Sequence, residues 1–529
     1  MKFKGLLLGS AAGLVALSGA QAADLPVKAK PVEYVKVCSL YGAGFYYIPG
    51  TETCIKLGGY LRAEVLANSG GHYTVSANSV SGANNRLTNF YSMRARQDLN
   101  IDTRTATEYG VVRTFFDGVF TWNTGSYTEH GTTPGASVYD QLGATGVSAP
   151  VNASGGNTSY GSVGVYFAFI QFAGFTMGRA ISQFAAPWTA YPGNNFDSLV
   201  GATNTVTGIT QFSYTADFGQ GVTATVSVQD QAPYMQAGVN NINAGAAADV
   251  FGRPGFGSGA IGSSDYGGTT APDLIGMIRV DQAWGLFQAS AAIHNNHAAY
   301  YGGTELTGRP EDKIGWAGQL SLSIKNIPTG PGDVINMSAV YTNGATRYNI
   351  SDLAAGVGSV AMYGSTNVPG AYQSVAMAFA PDSVFGVLPD GTNSGQQLVS
   401  TWGFQGAYTH NWDPFWNTSL YGAFATVSYN TTAKTLICGV NGSFFRLQNA
   451  PGSITNCDPN YNIAQLGLIT RWTPVKGLTF SGDLVYTQID QKMQGTINAA
   501  AAAVAKPVAV YQLRDQGVLQ LSLRAQRNF

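Results

Sequence analysis

The sequence predicts an all-β chain, a 16-stranded antiparallel transmembrane β-barrel with short turns at one end and long loops at the other. Three observations predict it. Apolar and polar residues alternate with a period of two in segment after segment, the signature of strands with one apolar and one polar face. The connections alternate between short turns and long polar loops, a rule that transmembrane barrels follow and β-sandwiches do not. The composition combines 11% charged residues with 67 Gly, 28 Tyr and 26 Phe among 529 residues. Soluble domains carry roughly 25% charged residues. The net charge of −1 excludes a basic, nucleic-acid-binding surface, and a 45% hydrophobic content excludes charge-rich disorder.

The elements follow in chain order. Lys2 and Lys4 precede an apolar run containing Leu6, Leu7, Leu8, Leu14, Val15 and Leu17, and Ala20-Gln21-Ala22 fits a small-x-small cleavage site. Residues 1–22 therefore read as a cleaved export signal, with a mature chain from Ala23. Residues 23–54 read as a periplasmic N-terminal segment, and 55–529 as the barrel. No later stretch reaches the roughly 18 consecutive apolar residues of a spanning helix. A chain of this kind that enters lipid must then do so as a closed barrel, which satisfies its backbone polar groups internally.

The predicted strands are 55–65, 91–104, 109–120, 162–172, 175–180, 206–217, 221–229, 273–282, 285–295, 314–326, 334–342, 399–411, 416–428, 463–473, 477–487 and 517–529. In the first, Ile55, Leu57, Gly59, Leu61, Ala63 and Val65 oppose Lys56, Gly58, Tyr60, Arg62 and Glu64. In the second, Met93, Ala95, Leu99 and Ile101 oppose Arg94, Arg96, Asp98, Asn100, Asp102 and Arg104. Val222, Ala224, Val226 and Val228 oppose Thr223, Thr225, Ser227 and Gln229. Leu519, Leu521, Leu523 and Ala525 oppose Gln520, Ser522, Arg524 and Gln526. Apolar faces meet lipid and polar faces meet a watery lumen, so this reading expects no large dry core. Trp316, Trp402, Trp412, Trp472, Tyr408 and Tyr486 fall near strand ends, where amphipathic rings suit the membrane interface. A barrel of this strand number leaves an aqueous channel.

Cys38 with Cys54, and Cys438 with Cys457, form two local pairs in an exported chain with an even cysteine count. Local disulfides are the expected pairing, each stabilising by about 3 kcal/mol. Neither zinc spacing nor a C-x-x-C pair is present. Gly257 to Gly262 matches G-x-G-x-x-G, but it sits in a glycine-rich loop with no helical pattern after it. His294 and His297 fall on opposite strand faces, which argues against a shared metal. Asp98, Asn100 and Asp102 share one face and suit solvated lumen charges better than a calcium site. No catalytic constellation is found, and no cofactor is expected.

The run Tyr34-Val35-Lys36-Val37-Cys38, then Tyr41 to Cys54 (YGAGFYYIPGTETC), resembles the signature of the alphaproteobacterial trimeric porins. Cys457-Asp458-Pro459-Asn460-Tyr461, Trp472-Thr473-Pro474-Val475 and the terminal Phe529 are similar to that family's C-terminal region. The resemblance implies an outer-membrane homotrimer in contact with lipid and lipopolysaccharide. It also implies passive diffusion of small hydrophilic solutes and a third long loop folded inward as a constriction. That loop, 181–205, carries Phe184, Pro187, Trp188, Tyr191, Pro192, Asn194, Asn195 and a single carboxylate, Asp197. Parity places Arg62, Arg94, Arg96 and Arg113 on the facing wall, with Glu64, Asp98, Asp102 and Asp117. Opposed charges across a narrow gap orient dipolar solutes, and the excess of arginine leans towards anions. Two alternatives stay open: a sugar-specific channel with Phe184, Trp188 and Tyr191 as an aromatic track, or an exported soluble β-rich binding protein. The sixth loop, 343–397, is long enough to carry small structure of its own.

Overall fold

The computed structural model describes residues 36–67, 91–123, 157–158, 161–197, 199–231, 235–242, 263–264, 266–302, 305–351, 361–363, 374–439, 454–498 and 510–529. The leader and the 257–262 glycine run lie outside them. The barrel strands are β1 (Cys54–Ala67), β2 (Tyr91–Thr107), β3 (Gly110–Asn123), β4 (Gly161–Phe172), β5 (Phe175–Ala180), β6 (Ile209–Asp217), β7 (Val222–Gln229) and β8 (Asp273–Gln282). They continue with β9 (Gly285–Asn296), β10 (Lys313–Lys325), β11 (Val334–Asn343), β12 (Ser400–Asn411), β13 (Trp416–Ser428), β14 (Tyr461–Val475), β15 (Leu478–Gln491) and β16 (Gln516–Asn528). Each pairs antiparallel with the next, and β1 closes on β16 from Tyr60 opposite Asn528 to Ala67 opposite Leu521. Two short strands, Tyr46–Tyr47 and Asn157–Thr158, join the same sheet.

The parity read from the sequence is the parity of the fold. Leu57, Leu61, Val226, Ile293, Leu320, Leu519 and Leu523 are exposed on the outer face, while Glu64, Ser227, Gln229, Gln520 and Ser522 are buried on the inner one. Trp316, Trp402, Trp412, Trp416 and Trp472 stand out towards lipid. The short turns are built from local chemistry. Ala173 and Gly174 both hold positive φ (48° and 85°), the geometry of a two-residue hairpin matched to strand twist. The Asp413 carboxylate accepts from the backbone N–H of Phe415 (2.7 Å) and Trp416 (2.8 Å), closing the turn into β13. One irregularity interrupts the ladder: Asp117 opposes Phe167 and Gly118 opposes Val165, so Tyr166 is an extra residue in β4.

The expectation of no dry core is corrected. The third and sixth loops fold into the barrel and bury apolar side chains against the inner faces of β12–β15. Phe196, Leu199 and Val200 of the third loop and Ile350, Phe379 and Val384 of the sixth pack with Tyr421, Ala425, Val427, Ile463 and Ile489. Small inward residues such as Ala423 and Ala425 make room for them. The sixth loop also carries structure of its own. Ser383–Phe385 and Gln397–Leu398 belong to a four-stranded sheet with Val239–Asn241 and Ser263–Ser264, and Ala361–Tyr363 and Ser374–Ala378 belong to a five-stranded one.

Both cysteine pairs are bonded, Cys38 to Cys54 and Cys438 to Cys457. The second links the end of a helix (Thr431–Cys438), capped by the Asn430 side chain, to the chain entering β14. The first closes a lobe below the β2–β3 turn, where Cys38, Phe45 and Cys54 form a small buried cluster. Reduction of the purified protein is expected to expose the 38–54 lobe to limited proteolysis while the barrel stays folded. Identical cleavage patterns with and without reductant would count against a structural role for this bond.

Candidate functional site in the barrel lumen

The third loop leaves β5 at Ala180 and enters β6 at Ile209, so it spans 181–208. A buried loop has backbone polar groups that must find partners. Here the inner wall supplies them as a row of side-chain amides and hydroxyls. Gln288 Nε2 donates to the carbonyls of Phe184 (3.3 Å) and Ala185 (3.1 Å), and Gln319 Nε2 to Phe184 O (3.2 Å). Gln405 Nε2 donates to Thr189 O (2.7 Å) and Arg471 Nη2 to Gly193 O (2.7 Å). The N–H of Asn195 donates to Asp483 (2.6 Å), and that of Val200 to Gln465 Oε1 (3.0 Å). The loop thus crosses the lumen face from β9 round to β15. Gly201 marks the tightest approach: its φ is +90°, and a Cβ there would lie 2.3 Å from the backbone of Phe404.

The far end of the loop meets the β1–β2 wall. Arg94 Nη1 lies 3.4 Å from Asp197 Oδ2, and the Tyr191 hydroxyl donates to Asp197 Oδ1 at 2.6 Å. Behind them Glu64 is buried between Arg94 and Arg524 and paired with both. Arg524 also donates to Asn195 O (2.7 Å). Burial alone would raise the Asp197 carboxyl. The charge of Arg94, the Tyr191 hydroxyl, and then Arg96 and Arg524 outweigh it, so the group is held below its ordinary value. Tyr191 is pushed well above its ordinary value by burial and then by the Asp197 charge, so it remains a donor.

Arg62, Arg94, Arg96, Asp197 and Tyr191 therefore lie around the end of one loop. Arg62 donates to Gln526 Oε1 (2.8 Å) and lies over the Tyr60 ring, and Arg96 donates to Thr121 (3.1 Å) and lies over Tyr166. Asp98 and Asp117 sit together on the inner face of β2 and β3, where Asn100 donates to Asp98 at 2.9 Å. Arg113 lies nearer the turns and shares Asp102 with Arg104. Trp188 is apart from all of these. It is buried against Ala186 and Leu286, with its indole N–H donating to Ser338 (3.1 Å), and Phe184 is buried against Tyr348. These two rings pack the loop to the wall and form no track. Sequence reasoning left Arg471, Asp483 and Arg524 out of the site. Arg524 and Asp483 stand on the polar parity of their strands, and setting β16 beside β1 would have brought Arg524 to Glu64.

The Porin subfamily family model matches residues 24–521. Porin Omp2b of Brucella suis is 34% identical over 288 residues, which is 54% of this chain and 64% of that protein. Porin Omp2b of Brucella abortus (strain 2308) is 33% identical over 289 residues, with the same shares. The match thus spans less than two thirds of the length of these curated relatives. The crystal structure of the outer membrane channel DcaP of Acinetobacter baumannii aligns with a TM-score of 0.50 at 14% identity, covering 91% of this chain and 99% of that one. That likeness is one of fold.

Two outcomes are expected of the loop anchor. Arg94→Ala leaves Glu64 with one cation in a buried site and should destabilise by about 3–5 kcal/mol, read as earlier thermal unfolding of the barrel. The Asp197 carboxyl is held low, so its anchoring contribution is complete above about pH 4 and is lost as pH falls through the lowered value. The part of the thermal stability that Asp197 supplies should therefore stay level from about pH 7 to about pH 4 and show as an acid-side step only below that. Asp197→Asn should remove that acid-side step, and a step of unchanged size in Asp197→Asn would sink the assignment.

Proposed function

We infer that this chain, which belongs to the Porin subfamily, forms an outer-membrane channel through which ions and small hydrophilic solutes diffuse passively. The observation that carries this reading is the asymmetry of the lumen. The third and sixth loops occupy the side lined by β9–β15, and the side lined by β1–β4 presents partly exposed Arg62, Arg96 and Arg113 to the remaining space, with Asp98, Asp102 and Asp117 buried among them. The loop edge facing that wall ends in Tyr191 and Asp197. A gap lined with charge on both sides passes hydrated solutes and orients dipolar ones. Cations outnumber carboxylates there once Lys56, Arg104, Arg471 and Arg524 are counted, so the channel prefers anions weakly. The sugar-track alternative loses two of its three rings, because Phe184 and Trp188 are buried.

The same reading includes assembly as a homotrimer within outer-membrane lipid and lipopolysaccharide. The outer surface supports it. One registered row runs Trp416, Trp472, Phe480, Ala525, Ala63, Ala95, Trp122 across seven strands. Its centre is three alanines between aromatic walls, forming an open apolar trough of about 990 Å³. Small residues let another apolar surface approach closely where no water is released.

Planar-bilayer recording tests the channel reading: purified protein should insert as stepwise ohmic conductances, and a KCl gradient should give a zero-current potential of the anion-preferring sign. Recovery as a soluble periplasmic monomer without conductance would overturn it, and a clear cation preference would overturn the selectivity. Ala63→Trp, which fills the trough, should convert an SDS-resistant oligomer to monomer at lower temperature than wild type.

A further inference from the structure

The lumen alternation also breaks on β3 and β4, outside the faces that pack the two loops. Inward positions of β3 and β4 should be polar, yet Phe115, Phe167 and Phe169 all point inward. Phe115 is registered opposite Phe169, and Asp117 opposite Phe167, so the strand pairing gathers the three rings on one face. The Phe115 and Phe169 rings are stacked at 5.4 Å and 26°, and Phe167 lies 6.3 Å from Phe115. All three are only partly buried, and none belongs to the buried clusters that fix the loops. Partly exposed phenyl rings on the wall of an aqueous lumen contribute less to folding than the same rings would on the lipid side, where Phe116 and Phe120 stand.

A surplus of positive charge lies directly against these rings. Arg104 and Arg113 occupy opposite positions on β2 and β3, an arrangement that like charges make unfavourable. One carboxylate, Asp102, serves both, and Lys56 stands opposite Asp102 on β1. The Arg113 guanidinium sits 5.1 Å from the centre of the Phe115 ring and 5.5 Å from that of Phe169. Arg104 is steadied from below by the Phe45 ring of the disulfide-closed lobe, at 4.9 Å. Its Nε and Nη2 donate to Asp102, and its Nη1 donates to no group among the described residues.

We propose that Phe115, Phe167 and Phe169, together with Arg104 and Arg113, form a subsite near the periplasmic mouth for planar aromatic carboxylates. The proposal rests on the channel reading for its access route. The carboxylate takes the spare guanidinium N–H of Arg104, a charge-assisted bond, and the ring packs against the partly exposed phenyl cluster from the lumen side. A sugar fits this chemistry poorly, because the nearby acceptors, Asp102 and the Gln171 amide oxygen, are already taken by the arginines. An aliphatic carboxylate meets the charge and forgoes the stacking.

The test uses the native oligomer in detergent with benzoate as probe, and cyclohexanecarboxylate and acetate as controls. Saturation-transfer NMR should show benzoate binding at a concentration roughly tenfold lower than cyclohexanecarboxylate, with acetate weaker still. The same solutes are then added during bilayer recording, where benzoate should interrupt the current at the concentration at which it binds. Phe115→Leu and Phe169→Leu keep apolar bulk and should abolish the benzoate preference, and Arg104→Gln should weaken both ring-bearing acids together. Equal binding of benzoate and cyclohexanecarboxylate by the wild type overturns the subsite, and needs no variant to fold. Benzoate binding by a protein that conducts no ions would overturn the channel reading and leave the subsite standing.

Discussion

Everything in this molecule follows from the requirement that backbone amides in lipid be paired. The β1–β16 ladder is the step that meets it, because an open edge at either strand would leave a row of unpaired N–H and C=O groups in hydrocarbon. Closure then dictates parity. Once one side of each strand is turned to lipid, the other must line an interior, and charged residues are confined to that interior or to the rims. The low charge content is a direct result: half of the strand positions are closed to it.

The same requirement is met a second time inside. A loop folded into the lumen gives up water on its backbone, and the wall replaces that water with Gln288, Gln319, Gln405 and Gln465. These long amides reach carbonyls and amides that no strand could pair. The inner wall is therefore divided in function. From β9 to β15 its polar groups hold loops, and on β1 to β3 Arg62, Arg96 and Arg113 remain partly exposed, turned to the residual space. Glu64, Arg94 and Arg524 join the two halves where the loop ends against β1 and β2.

Strand number, order and face were legible because period-two alternation is a local signal that survives without tertiary information. So were the two disulfides, since each closes a short segment. The residues at the loop end were legible as a group through the parity of β1 and β2. What was not legible came from contacts between distant segments. Tyr421, Ala423, Ala425 and Val427 read as an inward face with too little polarity, and only the presence of Phe196, Leu199 and Phe379 against them explains it. Trp188 read as a lumen ring because its position on the loop was known but its direction was not. Arg524 was on the right face of the last strand, and its partner Glu64 lies 460 residues earlier, beyond the reach of any local pattern.

The third loop is bonded in turn to Gln288 on β9, Gln405 on β12, Asp483 on β15 and Arg94 on β2. It is thereby a strip laid along the inside of a curved wall. A hollow cylinder of sheet resists bending along its strands but flattens easily across them. A strip fixed at many points along an arc turns flattening of that arc into strain on bonded backbone. The lined arc is therefore stiffer than the arc left bare, and a squeeze on the barrel falls on the unlined side.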